Sequence, residues 1–261
     1  MPQHLGKHSP RLEAVRELLT AKGRRERGRF TIEGLTLLEE ARRSGVALEE
    51  IYVSESALRE RPELMGWDQT AGLSVVDDRS FARLSDLETP PGVLAVAPIA
   101  FTPLPALLAE EGLVLLLAGI SDPGNAGTLI RSAEAFGVGR IIFGAGGVEP
   151  HHPKVVRGAM GSLFRARIAR AEVAEVAEVA LSLGWEATGL AAGGTPLDRA
   201  AFPPRCLLAV GQERAGLGPW DALCTQRVGI PMASSAESLN AAVAGSIALY
   251  AASRSGRQPP G

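Results

Sequence analysis

The second half of the chain is punctuated by nearly continuous apolar runs: "LVLLLAG" at 113–119, "RIIFGAG" at 140–146, "CLLAVG" at 206–211 and "RVGIPM" at 227–232. Runs without polar alternation mark strands of a parallel sheet covered on both faces, because a sheet with one wet face places polar residues at every second position. "EATGLAA" at 186–192 and a short stretch near "FRARIAR" add two strands, with helical segments between. In 171–185, Val at every third position among Ala and Glu lays an apolar stripe along a scaffold helix. The fold class expected is α/β, a mostly parallel sheet flanked by helices.

Upstream, a helix over 11–28 precedes strands at 29–34, 48–54, 73–78 and 92–99 with helices between them. That alternation predicts a smaller N-terminal α/β domain. Pro98, Pro103 and Pro105 disfavour helix and central strand alike, so the linker is placed at 98–106, dividing residues 1–97 from 107–261. The longest apolar stretch, "GLVLLLAGI", is about half of what a bilayer crossing needs, and the first residues lack the apolar core of a signal peptide. A cytoplasmic protein with no membrane partner is expected. Cys206 and Cys224 have neither metal-ligand nor disulfide-framework spacing and read as inert, reduced core residues; no metal is expected.

The net charge of −2 conceals an uneven distribution. Residues 1–30 carry eight Lys and Arg against three Glu, so a basic arm that includes Lys22, Arg24, Arg25, Arg27 and Arg29 precedes a more acidic body. A second basic segment, "HHPKVVRGAMGSLFRARIAR" at 151–170, holds Lys154, Arg157 and Arg165 and no acid. Two separate basic segments suggest a polyanionic partner, whereas either alone is more often only a solvated face.

Three segments carry candidate chemistry, each in a loop leaving the carboxyl end of a strand, where an open α/β sheet places its ligands. In "DPGNAGTLIRSAEAFG" (122–137), Asn125 and Gly127 sit at or just before a helix N-terminus, Leu129, Ala133 and Phe136 face the core, and Arg131 and Glu134 lie on another side. The plain alternative is a capped helix with a surface Arg–Glu pair. In "LLAVGQERAGLGP" (207–219), a strand runs into a Gly-rich loop with Gly211 and Glu213 near its start; a plain turn remains open. In "VGIPMASSAESLNAAVAGSIALY" (228–250), Ser238 and Asn240 stand at the start of a last helix rich in Ala and Gly, and simple caps remain an alternative. Neither a Walker loop nor a dinucleotide glycine fingerprint is present.

In order and spacing, "NAGTLIRSAEAFG", "VGQERAGLGP" and "IPMASSAESLNAAVAGSIALY" resemble the three motifs of the SpoU/TrmH family of RNA ribose 2′-O-methyltransferases, of the SPOUT class, over about residues 107–254. "HHPKVVRGAMGSLFR" resembles the stretch between the first two motifs. Residues 1–97 resemble, more weakly, the substrate-binding domain related to ribosomal proteins L30e and L7Ae that precedes the catalytic domain in ribosomal-RNA members.

The resemblance implies a deep trefoil knot in the C-terminal domain, which the general avoidance of knots would not have suggested. It implies that S-adenosyl-L-methionine is the cofactor, with Gly211, Ile230, Met232 and Leu239 holding it. Asn125, Arg131, Glu213, Ser238 and Asn240 would form the catalytic site. The reaction is attack of a ribose 2′-oxygen on the sulfonium methyl, for which a weak nucleophile must be aligned and relieved of its proton. The family's proposed base is the arginine corresponding to Arg131; a guanidinium stays protonated at physiological pH, so binding a phosphate or the developing alkoxide is the physically easier role. The resemblance also implies a homodimer with its active site near the interface. Structured RNA is the expected partner, 23S ribosomal RNA ahead of tRNA, with Lys154, Arg157 and Arg165 and then Arg24, Arg25 and Arg27 as phosphate contacts. A non-catalytic RNA-binding protein is the alternative of another class.

Overall fold

The computed structural model describes residues 3–69, 71–233 and 238–255; residues 234–237 of the third motif lie outside them. The chain forms two compact units, one comprising residues up to Ile99 together with His151–Phe164, the other Ala100–Pro150 with the chain from Arg165 onward.

The first unit is built on strands β1 (Gln3–Leu5), β2 (Arg29–Glu33), β3 (Glu50–Ser54), β4 (Gly72–Val76) and β5 (Val93–Pro98), with helices α1 (Pro10–Glu17), α2 (Ala21–Arg27), α3 (Leu35–Arg43), α4 (Glu55–Glu60) and α5 (Asp78–Ala82). Its sheet runs β1-β4-β3-β5-β2, parallel among β1, β4 and β3 and antiparallel from β3 through β5 to β2. The helix expected over 11–28 is two helices: α1 ends at Glu17, and the Thr20 hydroxyl starts α2 by accepting the Gly23 amide at 3.0 Å. Leu12, Val15 and Leu18 pack into a core with Tyr52, Val76, Phe81 and Leu94.

The second unit carries α6 (Leu104–Leu107), β6 (Gly112–Leu117), α7 (Pro123–Ala135) and β7 (Arg140–Gly144). After α8 (Pro153–Gly158) and α9 (Ser162–Arg165) come β8 (Arg167–Ala171), α10 (Val173–Leu183), β9 (Glu186–Pro196), β10 (Arg205–Val210), β11 (Cys224–Gly229) and α11 (Ala241–Arg254). The strand order is β11-β9-β10-β6-β7-β8 and every pairing is parallel, as the continuous apolar runs predict. Register matters here: Val210 pairs with Leu117, so central strands β10 and β6 end level and release their loops side by side. None of the described helices is long and apolar enough to cross a membrane.

The division differs from a break at 98–106 in one respect: residues 151–164, which lie between β7 and β8 in sequence, pack with the first unit. Val155, Val156 and Leu163 are buried there, His151 packs on Phe30 with tilted rings whose centroids are 4.5 Å apart, and Arg157 grips Asp86 through two bonds of 2.6 and 2.9 Å. Within the expected linker, Pro103 holds the cap position and Pro105 the second position of the short α6, where the missing amide hydrogen is harmless.

Candidate active site

Asp122, not Asn125, caps α7: its carboxylate accepts the Asn125 amide at 2.7 Å and Pro123 fills the first helical position. Asn125 is therefore the third helical residue. Its side chain meets the loop leaving β10, with Nδ2 donating to Glu213 Oε1 at 3.2 Å. At the other side, Asn240 caps α11 by accepting the Ala242 and Val243 amides through Oδ1 (2.9 and 3.2 Å). That leaves its Nδ2 to donate to Asn125 Oδ1 at 2.9 Å and to Glu213 Oε1 at 2.6 Å, and the Ala241 amide approaches the same oxygen at 3.4 Å. Glu213 Oε1 thus collects three donors from two helices. Bonds to a carboxylate are about twice as strong as neutral ones, so the network fixes the relative places of all three loops.

The Glu213 loop is held by its backbone. Gln212 and Gly216 exchange amide–carbonyl bonds of 2.8 and 2.9 Å, closing a five-residue loop. Gly211 lies so close to this closure that a Cβ there would sit 2.2 Å from the Gly216 carbonyl oxygen, and Gly216 itself has φ +59°. Gln212 Nε2 donates to the Gly119 carbonyl at 2.7 Å, tying the loop to the end of β6. Neither Asp122 nor Gln212 was singled out from the sequence. The Asp-Pro pair that opens α7 was a usable signal for the first; nothing local marks the second.

Beside the cluster lies a cavity of about 300 Å³, near the lower end of the range for small-molecule sites. Leu190 to Ala192 from β9, Val210, Gly211 and Leu217, and Ile230, Met232, Ser238 and Leu239 line it, with Glu213 and Arg214 at its wall. All four residues expected to hold a cofactor line this one cavity. Their local settings differ from the sequence reading: β11 ends at Gly229, so Ile230 and Met232 follow the strand, and Leu239 precedes the cap of α11. Gly245 of α11 sits where a Cβ would meet Leu129 of α7 at 2.5 Å, which lets the last helix lie close on the first motif's helix.

Arg131 does not join the cluster. It lies six residues beyond Asn125 on α7, about 9 Å along the axis and on a different face. Its side chain is exposed and makes no hydrogen bond or ion pair among the described residues. Glu134 pairs with Arg165 rather than Arg131. The two thiols suit inert residues: burial pushes both Cys206 and Cys224 up to about 11, far from the thiolate a nucleophile needs.

The basic candidates divide sharply. Arg24, expected to contact phosphate, is 2% exposed and donates to the Leu18 and Leu19 carbonyls at 2.9 and 3.0 Å, so its guanidinium joins two turns inside the unit. Arg27 is paired with Glu17, and Arg157 with Asp86 and, at 3.7 Å, with the buried Glu33; the Arg157 guanidinium holds the Asp86 carboxyl below the usual carboxylate range. Arg25 and Lys154 are exposed and make no ion pair among the described residues.

Residues 112–250 match the SpoU rRNA Methylase family, and residues 9–95 match the MRM3-like substrate binding domain. The 23S rRNA (guanosine(2553)-2′-O)-methyltransferase RlmP of Bacillus subtilis is 32% identical over 242 residues, 90% of this chain and 92% of that one. The 23S rRNA (uridine(2479)-2′-O)-methyltransferase of Streptomyces viridochromogenes is 34% identical over 207 residues, 74% of this chain and 70% of that one. Among solved structures, the SpoU methyltransferase AviRb from S. viridochromogenes, in complex with AdoMet, superposes with a TM-score of 0.83 at 29% identity over 95% of this chain and 98% of that one. An AdoMet-bound rRNA methyltransferase from Sinorhizobium meliloti gives a TM-score of 0.83 at 25% identity over 98% of this chain and 99% of that one.

Proposed function

The chain belongs to the SpoU rRNA methylase family, and we infer from the site that it transfers a methyl group from S-adenosylmethionine to a ribose 2′-hydroxyl of 23S ribosomal RNA. The observation that carries this reading is the convergence of Asn125 and Asn240, from two distant loops, on Glu213, which itself lines the cavity. The residues fit the cofactor: apolar side chains flank the cavity, and Gly211, with no room for a Cβ, brings backbone directly to its wall. Ile230, Met232, Leu239 and Gly211 would hold the adenosine and methionine parts, and the bound cofactor supplies an electrophilic methyl group.

The protein's own share is alignment and charge. With Glu213 Oε1 already occupied by three donors, its second oxygen and the remaining Asn125 N–H have no partner among the described residues; the oxygen can accept the proton of a ribose hydroxyl and the N–H can donate to its oxygen. Ser238 lies on the same wall. Arg131 stands away from this group, which supports a homodimer in which it serves the partner's site, charged and facing a phosphate. Val243, Ile247 and Tyr250, spaced to share one face of α11, are 48, 41 and 53% exposed, an apolar stripe suited to a second copy. The knot has its support in α11, which follows edge strand β11 yet packs on α7 and on the central strands β10 and β6. A ribosomal RNA substrate supports a cytoplasmic location.

The test is tritiated methyl transfer to unmodified 23S and tRNA transcripts, with the modified nucleotide mapped. We expect a 2′-O-methyl ribose in 23S RNA. Methyl on a base, or transfer to tRNA alone, would overturn the reading.

A further inference from the structure

We propose that the first unit holds a phosphate of the RNA backbone in a cavity of about 330 Å³ lined by Lys7, His8, Arg16 and Arg83. The cavity opens where the chain leaves β1 and where α5 ends, so residues almost eighty positions apart share it. Its one acid, Glu13, pairs with Arg16 at 3.2 Å. Lys7, His8 and Arg83 are exposed, and none of their side chains makes a hydrogen bond or ion pair among the described residues.

This is the reverse of residues 22–29 of the basic arm. There, Lys22 faces Glu26, Arg27 binds Glu17 and Arg29 binds Glu49 at 2.7 Å, so much of the charge visible in sequence is neutralised in place. At the cavity, the side chains of Lys7 and Arg83 carry positive charge with no ion-pair partner among the described residues, beside the buried Leu12 and Leu84. A concave, partly apolar surface focuses such a field and strengthens its pull on an anion. A guanidinium and an ammonium converging on one hollow suit the tetrahedral oxygens of a phosphodiester, which positions a structured RNA without reading its sequence. RNA is the favoured source of that phosphate because the unit matches a substrate-binding domain, and the inference to that extent rests on the proposed function.

The experiment measures binding of the full chain to an unmodified 23S transcript between 50 and 300 mM salt, alongside cofactor affinity by calorimetry and methyl transfer at saturating RNA. For the Lys7→Ala/Arg83→Ala double variant we expect about tenfold weaker RNA binding and a salt slope shallower by about 1 to 2. Cofactor affinity, saturated rate and melting temperature should be unchanged. Arg83→Lys should recover part of the loss, and Arg61→Ala, an exposed cation outside the cavity, should leave the slope alone. An unchanged affinity and slope in the double variant would overturn the proposal, as would an equal loss in Arg61→Ala, which would mean a diffuse field instead of a site. Wild-type protein that binds RNA but transfers no methyl would sink the enzymatic reading while the slopes still decide the phosphate contact.

Discussion

Residues 20–29 and the loops at Asn125, Glu213 and Asn240 start from similar material, polar side chains at helix ends, and the fold treats them in opposite ways. In the first, cations meet acids four to twenty residues away, and Arg24 turns inward to the carbonyls of Leu18 and Leu19. In the second, the partners are 88, 115 and 27 residues apart and meet only because β6 and β10 end level and α11 returns across them. Charge dense along the chain is quenched by its neighbours, while polar groups assembled by topology keep valences to spare for a ligand. Within residues 20–29, Arg25 alone of the arginines is exposed with no ion pair among the described residues.

The largest expected effect lies in the assembled region. Glu213→Ala strands three donors at once and should lower kcat/KM for methyl transfer by roughly 100-fold, on the basis of about 1.5–3 kcal/mol for one bond to a charged group. Activity within a few-fold of wild type, in a protein that still melts normally, would break the claim that the three loops form one site.

Next, Arg24→Ala should destabilise the first unit by about 2–3 kcal/mol in urea titration, since it removes a buried donor from two carbonyls. The exposed Arg27→Ala should lose less than about 1 kcal/mol, and a larger loss there than at Arg24 would erase the contrast.

The smaller effect concerns His151, whose burial, with the charge of Arg24 nearby, pulls its pKa from 6.5 down to about 4. A depressed histidine binds its proton in the unfolded chain before it does in the folded one, so stability is present above 6.5 and is lost as pH falls towards 4. About 2 kcal/mol should go between pH 7 and 5, and His151→Phe should flatten that slope; the same slope in both proteins would show that other groups govern the acid limit.

Much of this was legible in residues. The parallel sheet followed from apolar runs without alternation, and every pairing in the second unit obeys it. The three loops could be placed at strand ends because each run stops at glycines or polar residues. What escaped was set by geometry beyond the local sequence. Thr20 breaks a stretch whose helical pattern runs on without a proline. Asp122 outcompetes Asn125 for the cap because it is the residue immediately before Pro123. The last strand begins at Cys224 and ends at Gly229 instead of running 227–232, since its irregular pairing with β9 shifts register twice and Pro231 follows. Nothing in "HHPKVVRGAMGSLF" announces that Asp86 awaits its Arg157.

That last pairing bears on the order in which the molecule can mature during synthesis. The first unit has its fifth strand by Pro98, yet it lacks His151 against Phe30 and Arg157 against Asp86 until translation has passed residue 164. Glu33, buried and with its pKa raised by that burial, waits through the same interval for its nearest cation. A nascent chain paused between residues 100 and 150 therefore carries an unfinished N-terminal unit, and the usual sequence of one domain completed before the next begins does not apply.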